Sequence, residues 1–206
     1  MSAFLGSIHH WLYGKIEFQN GLVERLSDMI SKNGYDDGIL SEMEQKYGAV
    51  EKGSLENMID NSNIHGWLQD KIAAAENRLA FLVISTMDAH SECMPDIANA
   101  AYEYGRSRKL SGKTSAEEVY RHLDNLLLNG MPCDRVNTVV SISQEAVVWK
   151  QTVDIHLPYW EALQGDVSHY YDLKERLVAG ILEGSGFSYK YLGNQTFTLI
   201  KHSYRE

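Results

Sequence analysis

Apolar residues recur every three or four positions over most of the first 130 residues, which is the spacing of one face of an α-helix. This pattern predicts a long helix from Phe4 to Lys32, which Asn33-Gly34 ends. It also predicts a short helix over Ile39–Tyr47 and a second long helix from about Ile64 to Met87.

Two further helices continue the pattern. Pro95 is typical of a first helical turn, and it predicts a helix through Tyr104 that Gly105 closes. Thr114, with Glu117 three residues later, has the spacing of a capping box, and the apolar face that follows runs to Gly130.

The period changes at Met131-Pro132 from helical to alternating, and Val136–Thr152 predicts two strands around Gln144-Glu145. With those two residues as the loop, Ile142 lies opposite Val147, Val140 opposite Trp149 and Arg135 opposite Asp154. One face of this hairpin is then wholly apolar, and we expect Val178 and Ile181 of the next helix to cover it. That face consists of Val136, Val140, Ile142, Val147, Trp149 and Val153.

The last forty residues predict a helix followed by a second hairpin. Asp166 is a candidate N-cap of the helix, which Gly184-Ser185-Gly186 ends. Phe187–Tyr191 and Thr196–His202 then flank Gly193-Asn194, which is typical of a type II′ turn.

Together these elements predict an α+β fold in one domain, residues 1–206. A helical N-terminal part (residues 1–130) packs on a four-stranded antiparallel sheet of the order strand-strand-helix-strand-strand (residues 131–206).

Composition excludes several classes of protein. The chain has 206 residues, 44% of them hydrophobic, which is typical of a globular protein. Its formal net charge is −9 and its basic residues are not clustered, so nucleic acid is not an expected partner. Two cysteines do not make a disulfide framework, and no signal peptide or membrane-length apolar run is evident. We therefore expect a cytoplasmic protein that is not inserted in a membrane; the sequence leaves its oligomeric state open.

The hairpin register suggests one catalytic arrangement. It places Cys133 opposite His156, beside Asp134 and Asp154. A thiol beside an imidazole can become a nucleophile, so Cys133 is a candidate nucleophile and His156 its base, with Asp134 or Asp154 as the orienting carboxylate. The alternative interpretation is a small buried cysteine and a histidine that begins a helix.

Four histidines of the helical part suggest a different kind of site. His9, His10, His65 and His90 are candidate ligands of a transition metal held between helices. Histidines at the edge of the core or in solvent explain the same residues without a metal.

Two segments of the C-terminal half resemble the superfamily of heme–nitric-oxide-binding and 4-vinyl-reductase-like ligand-binding domains, over about residues 115–203. The first segment is His122-Leu-Asp-Asn-Leu-Leu-Leu-Asn-Gly130-Met-Pro132, and the second is Leu177-Val-Ala-Gly180-Ile-Leu-Glu183-Gly184-Ser185. The resemblance implies a ligand-binding domain in which His122 is the axial ligand of a heme. The Tyr-x-Ser-x-Arg stretch with which the heme domains hold the propionates is replaced here by Val148-Trp149-Lys150-Gln151-Thr152.

The leading hypothesis is therefore a small-ligand-binding or sensing protein with its pocket between the helical part and the sheet. Heme bound through His122 is one version of it. The alternatives are a cysteine-dependent hydrolase and the histidine metal site, so whether the protein is an enzyme stays open. The candidate ligand contacts are His122, Trp149, Tyr159, Trp160 and Tyr170.

Overall fold

The computed structural model describes residues 5–112 and 115–202, and it has the predicted α+β architecture. The helical part contains α1 (Ser7–Asn33), α2 (Ile39–Tyr47), α3 (Leu55–Met58), α4 (Ile64–Ala89), α5 (Met94–Arg106) and α6 (Ala116–Leu126). A single 3₁₀ turn (Pro132–Asp134) leads to β1 (Asn137–Ile142), β2 (Ala146–Gln151), α7 (Leu157–Glu161), α8 (Ser168–Ile181), β3 (Phe187–Gly193) and β4 (Thr196–Lys201).

The helix boundaries follow local backbone chemistry. Gly34 adopts a left-handed φ of 74° and ends α1 as predicted, with its N–H directed at the last carbonyls of the helix. The capping box of α6 is formed by Ser115 and Glu118, one residue later than the predicted Thr114 and Glu117, and each of the two accepts a hydrogen bond from the other's backbone N–H. Phe4 and Thr114, which the sequence assigned to helix starts, lie outside the described residues. Among the described helices, none is long and apolar enough to cross a membrane.

Gly105 does not end α5, as the sequence suggested, because the helix continues to Arg106. Its role is close packing. A Cβ on Gly105 would lie 2.0 Å from the carbonyl oxygen of Leu177, and one on Gly180 would lie 2.0 Å from that of Tyr102. The two glycines therefore let the backbones of α5 and α8 touch, which joins the helical part to the ββαββ part.

We expect Gly180→Ala to destabilise the protein by about 1–3 kcal/mol or more, because the new methyl group meets rigid backbone. Gly14→Ala is the matched control, since a Cβ on this helical glycine meets nothing within 4 Å. There the substitution should stabilise by roughly 0.5–1 kcal/mol through helix propensity. Urea denaturation measures both, and equal effects would contradict the close approach of α5 and α8.

The four strands form one antiparallel sheet of spatial order β1-β2-β4-β3, so the two hairpins meet along β2 and β4. Two helices rather than one connect the hairpins. The extra helix α7 forms because Pro158 occupies its first turn and Asp154 accepts the N–H groups of His156 and Leu157. The N-cap of α8 is Val167 and not the predicted Asp166, which lies one residue earlier and accepts the N–H of Ser168.

The register of the first hairpin is correct beside the turn and wrong beyond it. Ile142 lies opposite Val147, but a β-bulge then places Val139, not Val140, opposite Trp149. Pairing stops at Asn137 with Gln151, so Arg135 is not opposite Asp154. A bulge adds one residue to one strand, and every predicted pair beyond it moves by one position.

The turn of the second hairpin is also displaced by one residue from its predicted position. Asn194 and Gln195 are its central residues, with φ of 47° and 57°. Two positive φ values are typical of a type I′ turn, not of the type II′ turn predicted at Gly193-Asn194.

The predicted apolar face of the first hairpin is only partly buried. Val136, Val147 and Trp149 are buried, whereas Val140, Ile142 and Val153 are at least half exposed. Val140 and Ile142 belong to β1, which is an edge strand, and Val153 lies beyond the end of β2.

Trp149 lies in the core between a helix and the neighbouring strand. It packs between Tyr120 of α6, 5.0 Å away, and Phe197 of β4, 5.7 Å away between ring centroids. The helix over Trp149 is therefore α6, and not the predicted α8 residues Val178 and Ile181, which are buried elsewhere in the same core.

Trp149→Ala should reduce the free energy of unfolding by about 3–5 kcal/mol, as for other large buried side chains. Lys150→Ala changes the next residue of β2, which is exposed on the opposite face, and should cost about 0.5 kcal/mol or less. Chemical denaturation of both variants checks the assignment of the faces, and similar losses would overturn it.

Candidate functional site

A buried pair, Glu76 of α4 and His156 at the start of α7, lies where the helical part meets the ββαββ part. Glu76 Oε2 and His156 Nδ1 are 3.1 Å apart, and the two side chains are 2% and 0% exposed. The imidazole also stacks on Tyr170 of α8, with ring centroids 3.8 Å apart. With Glu76 as a carboxylate, the hydrogen of this bond resides on Nδ1, which fixes the ring's orientation.

The second oxygen of Glu76 has no such partner. Among the described residues, neither Glu76 Oε1 nor His156 Nε2 has a hydrogen-bond partner, although both atoms are buried. A buried acceptor without a donor costs about 1–3 kcal/mol, so native structures seldom leave one unsatisfied. Glu76 Oε1 is therefore an acceptor with unused capacity.

Glu76 lines a cleft of about 290 Å³, a volume close to the lower end of the range for small-molecule sites, about 300 Å³. Its walls come from α4, the segment before β1, the connection from β2 to α7, and α7 itself. The lining residues are Gln69, Ile72, Glu76, Gly130, Asp134, Val153, Asp154, Ile155, Pro158 and Tyr159. Three of them are acidic and none is basic, so the cleft favours positive charge.

The other two carboxylates of the cleft are already engaged. Asp134 Oδ2 accepts the N–H of Met131 at 2.8 Å. Asp154 Oδ1 accepts the N–H groups of His156 and Leu157 at the start of α7. Its Oδ2 accepts a hydrogen bond from Gln195 Nε2 at 2.8 Å. Gln195 in turn accepts from the Tyr171 hydroxyl, so this chain of bonds holds the wall of the cleft in place.

A lysine lies buried behind the pair. The Lys174 ammonium packs over the rings of Phe197 and Tyr170, 4.8 Å and 5.6 Å from their centroids. Burial lowers the pKa of Lys174 to about 8, against the opposing charges of Glu76 and Asp154. Burial likewise raises the pKa of Tyr170 well above its usual value, so its hydroxyl stays protonated.

The predicted pair of Cys133 and His156 is not formed. Cys133 is exposed on the 3₁₀ turn, with its Sγ 3.9 Å from Asp134 Oδ1, whereas His156 is buried against Glu76. The prediction depended on strand pairing that stops at Asn137. Of the three proposed catalytic residues, Asp134 alone lines the cleft.

Of the four histidines proposed as metal ligands, the structure brings His9 and His65 together, whereas His10 and His90 have other partners. His9 and His65 have ring centroids 5.7 Å apart, and His10 contacts Glu56. His90 follows α4 at its far end, roughly 37 Å from His65 at 1.5 Å per residue, and contacts Asp37. Within residues 5–112 and 115–202, no group of three or more His, Cys, Asp or Glu side chains is arranged to hold a metal ion.

Three of the proposed ligand-contacting aromatics do gather around His156. Tyr170 stacks on its ring, and Tyr159 lines the cleft. Trp160 is fully buried, with its ring centroid 6.4 Å from that of Tyr170. Trp149 lies elsewhere, in the core of the sheet.

His122, the candidate axial ligand of a heme, lies outside the lining of the Glu76 cleft. It is half-buried on α6. Heme binding through His122 therefore stays a prediction of the resemblance, without support from the geometry.

Sequence reasoning passed over Glu76 as a site residue, although a signal was present. Glu76 lies four residues after Ile72 and three before Leu79, and so it interrupts the apolar stripe of α4. A charged residue on a buried face requires a partner, and that partner, His156, is 80 residues away in sequence.

Comparisons of the chain with protein-family models, with curated proteins and with solved structures found no match.

The lowered pKa of Lys174 predicts a pH-dependent stability. The unfolded chain, with a lysine pKa of about 10.4, binds more protons than the folded protein between about pH 8 and pH 10, so stability contributed by this group rises over that range. Lys174→Met should therefore be more stable than the unmodified protein at pH 7, with a difference that shrinks from pH 8 to pH 10. Denaturation at several pH values measures this, with exposed Lys190→Met as control. A difference that does not change with pH would contradict it.

Proposed function

We propose that the protein binds a small organic cation, such as a primary amine or an amidine, in the cleft that Glu76 lines. The observation that carries the proposal is the buried Oε1 of Glu76, which has no partner among the described residues, in a residue that lines an acidic cleft. An ammonium group supplies both the positive charge and the N–H donors that this oxygen lacks.

The walls of the cleft favour an organic cation over a hydrated inorganic one. Ile72, Ile155 and Pro158 offer apolar surface, and Tyr159 offers an aromatic ring on which a cation can pack. His156 holds the other oxygen of Glu76, so the carboxylate is oriented before a ligand arrives. Such preorganisation reduces the entropy lost on binding.

A sensing role is the narrower form of the proposal. The cleft is built from α4 of the helical part and from the β2–α7 segment of the ββαββ part, so a ligand contacts both. Two cysteines without disulfide partners suit a cytoplasmic location, and the net charge of −9 favours a small cation over nucleic acid. The hydrolase alternative has no comparable support, because Cys133 and His156 are separated.

Calorimetric titration with tyramine, putrescine and benzamidine tests the proposal. We expect at least one of them to bind saturably, and Glu76→Gln to weaken that binding about 10- to 100-fold, since a hydrogen bond to a charged group contributes about 1.5–3 kcal/mol. Glu161→Gln removes the same charge from the exposed end of α7 and is the matched control. It should bind as the unmodified protein does.

Two results would overturn the proposal. One is the absence of saturable binding by all three cations. The other is equal weakening by Glu76→Gln and Glu161→Gln, which would show that binding follows only the net charge.

A further inference from the structure

A second cleft, of about 160 Å³, lies on the other side of the segment that precedes β1, and Gly130 lines both clefts. Its walls come from α1, α6 and residues 129–137. The lining residues are Trp11, Lys15, Asp124, Asn129, Gly130, Met131, Pro132, Arg135, Val136 and Asn137. They include two basic side chains and one acidic side chain, so the formal charge of this lining is positive, whereas that of the Glu76 cleft is negative.

Lys15 is a basic residue that is buried in the wall of this cleft. Its side chain is 3% exposed, and its Nζ lies 3.6 Å from the centroid of the Trp11 ring. The ring is fixed, because Trp11 Nε1 donates to Asn125 Oδ1 at 2.8 Å. Among the described residues, no acceptor forms a hydrogen bond or an ion pair with the ammonium.

Asp124, the acidic residue of this cleft, offsets the positive charge of Lys15 only in part. Asp124 Oδ1 accepts a hydrogen bond from Asn137 Nδ2 at 3.2 Å. Burial lowers the pKa of Lys15 to about 8, with the charge of Asp124 opposing the shift. An ammonium buried in this way is stabilised by any anion that enters the cleft.

Arg135 adds a second cation to the same cleft. It follows the 3₁₀ turn with a left-handed φ of 46°, and its side chain is exposed. A guanidinium presents paired N–H donors that match two oxygens of a carboxylate or phosphate, whereas an ammonium acts as a point charge.

We propose that this cleft is a binding site for a small oxyanion, a phosphate or carboxylate group held between Lys15 and Arg135. The site is separate from the Glu76 cleft and does not depend on its proposed function. Net positive charge at this place, in a chain of net charge −9, makes the cleft a local attractor for anions.

The test is titration of the full chain with inorganic phosphate and, separately, with acetate, followed by calorimetry and by tryptophan fluorescence. Sodium chloride at matched ionic strength serves as the reference. The Lys15 ammonium lies on the Trp11 ring, so a bound anion that moves it should change the fluorescence emission of that tryptophan. Saturable binding of phosphate alone would show that the cleft takes a phosphate group. Saturable binding of acetate alone would show that it takes a carboxylate.

Three variants decide which residues hold the anion. Lys15→Met should weaken binding at least 10-fold. Arg135→Asn, a residue that tolerates the left-handed backbone, should weaken it several-fold without touching the core. Arg121→Gln, which removes an exposed charge from α6 outside the cleft, should have no effect.

Absence of saturable binding by both anions would overturn the proposal, as would equal losses in Arg135→Asn and Arg121→Gln. Circular dichroism shows whether Lys15→Met is folded; if it is not, the comparison of the two arginine variants decides the question. Glu76→Gln should leave anion binding unchanged, so the two clefts can fail independently.

Discussion

The contact between Glu76 and His156 is the interaction on which the arrangement of the site depends. It connects α4 to the start of α7 across 80 residues of sequence, and it lies entirely out of solvent. A buried acidic residue is tolerated only where hydrogen bonds replace its water. His156 supplies that bond to one oxygen, and the other oxygen has no hydrogen-bond partner among the described residues.

The neighbouring packing explains why this contact can be held so closely. The backbones of α5 and α8 meet at Gly105 and Gly180, which places α8 firmly against the helical part. Tyr170 of α8 then stacks on the His156 ring and limits its rotation. The site is thus positioned by rigid helices on two sides, and by the capped start of α7 on the third.

Helical periodicity and capping residues were sufficient to predict most of the helices, because both signals are local in the chain. Ile39–Tyr47 is reproduced residue for residue, and Gly34 ends α1 as expected. The α+β class and both hairpins follow from the change of period near residue 131. The sequence missed two short helices, α3 and α7, the one-residue bulge at Val140, and the long-range partner of Glu76. Gly105 shows why, since a glycine looks the same in sequence whether it ends a helix or lets another helix approach.

We propose that Glu76 offers its second carboxylate oxygen to a cation in the cleft. The most direct measurement is the ¹³C chemical shift of the Glu76 carboxyl carbon by NMR, followed while tyramine is added to the labelled protein. We expect a saturable change in the chemical shift of Glu76, while the shifts of exposed carboxylates such as Glu161 stay unchanged. A Glu76 signal that does not move, or that moves no more than the exposed carboxylates, would contradict the account.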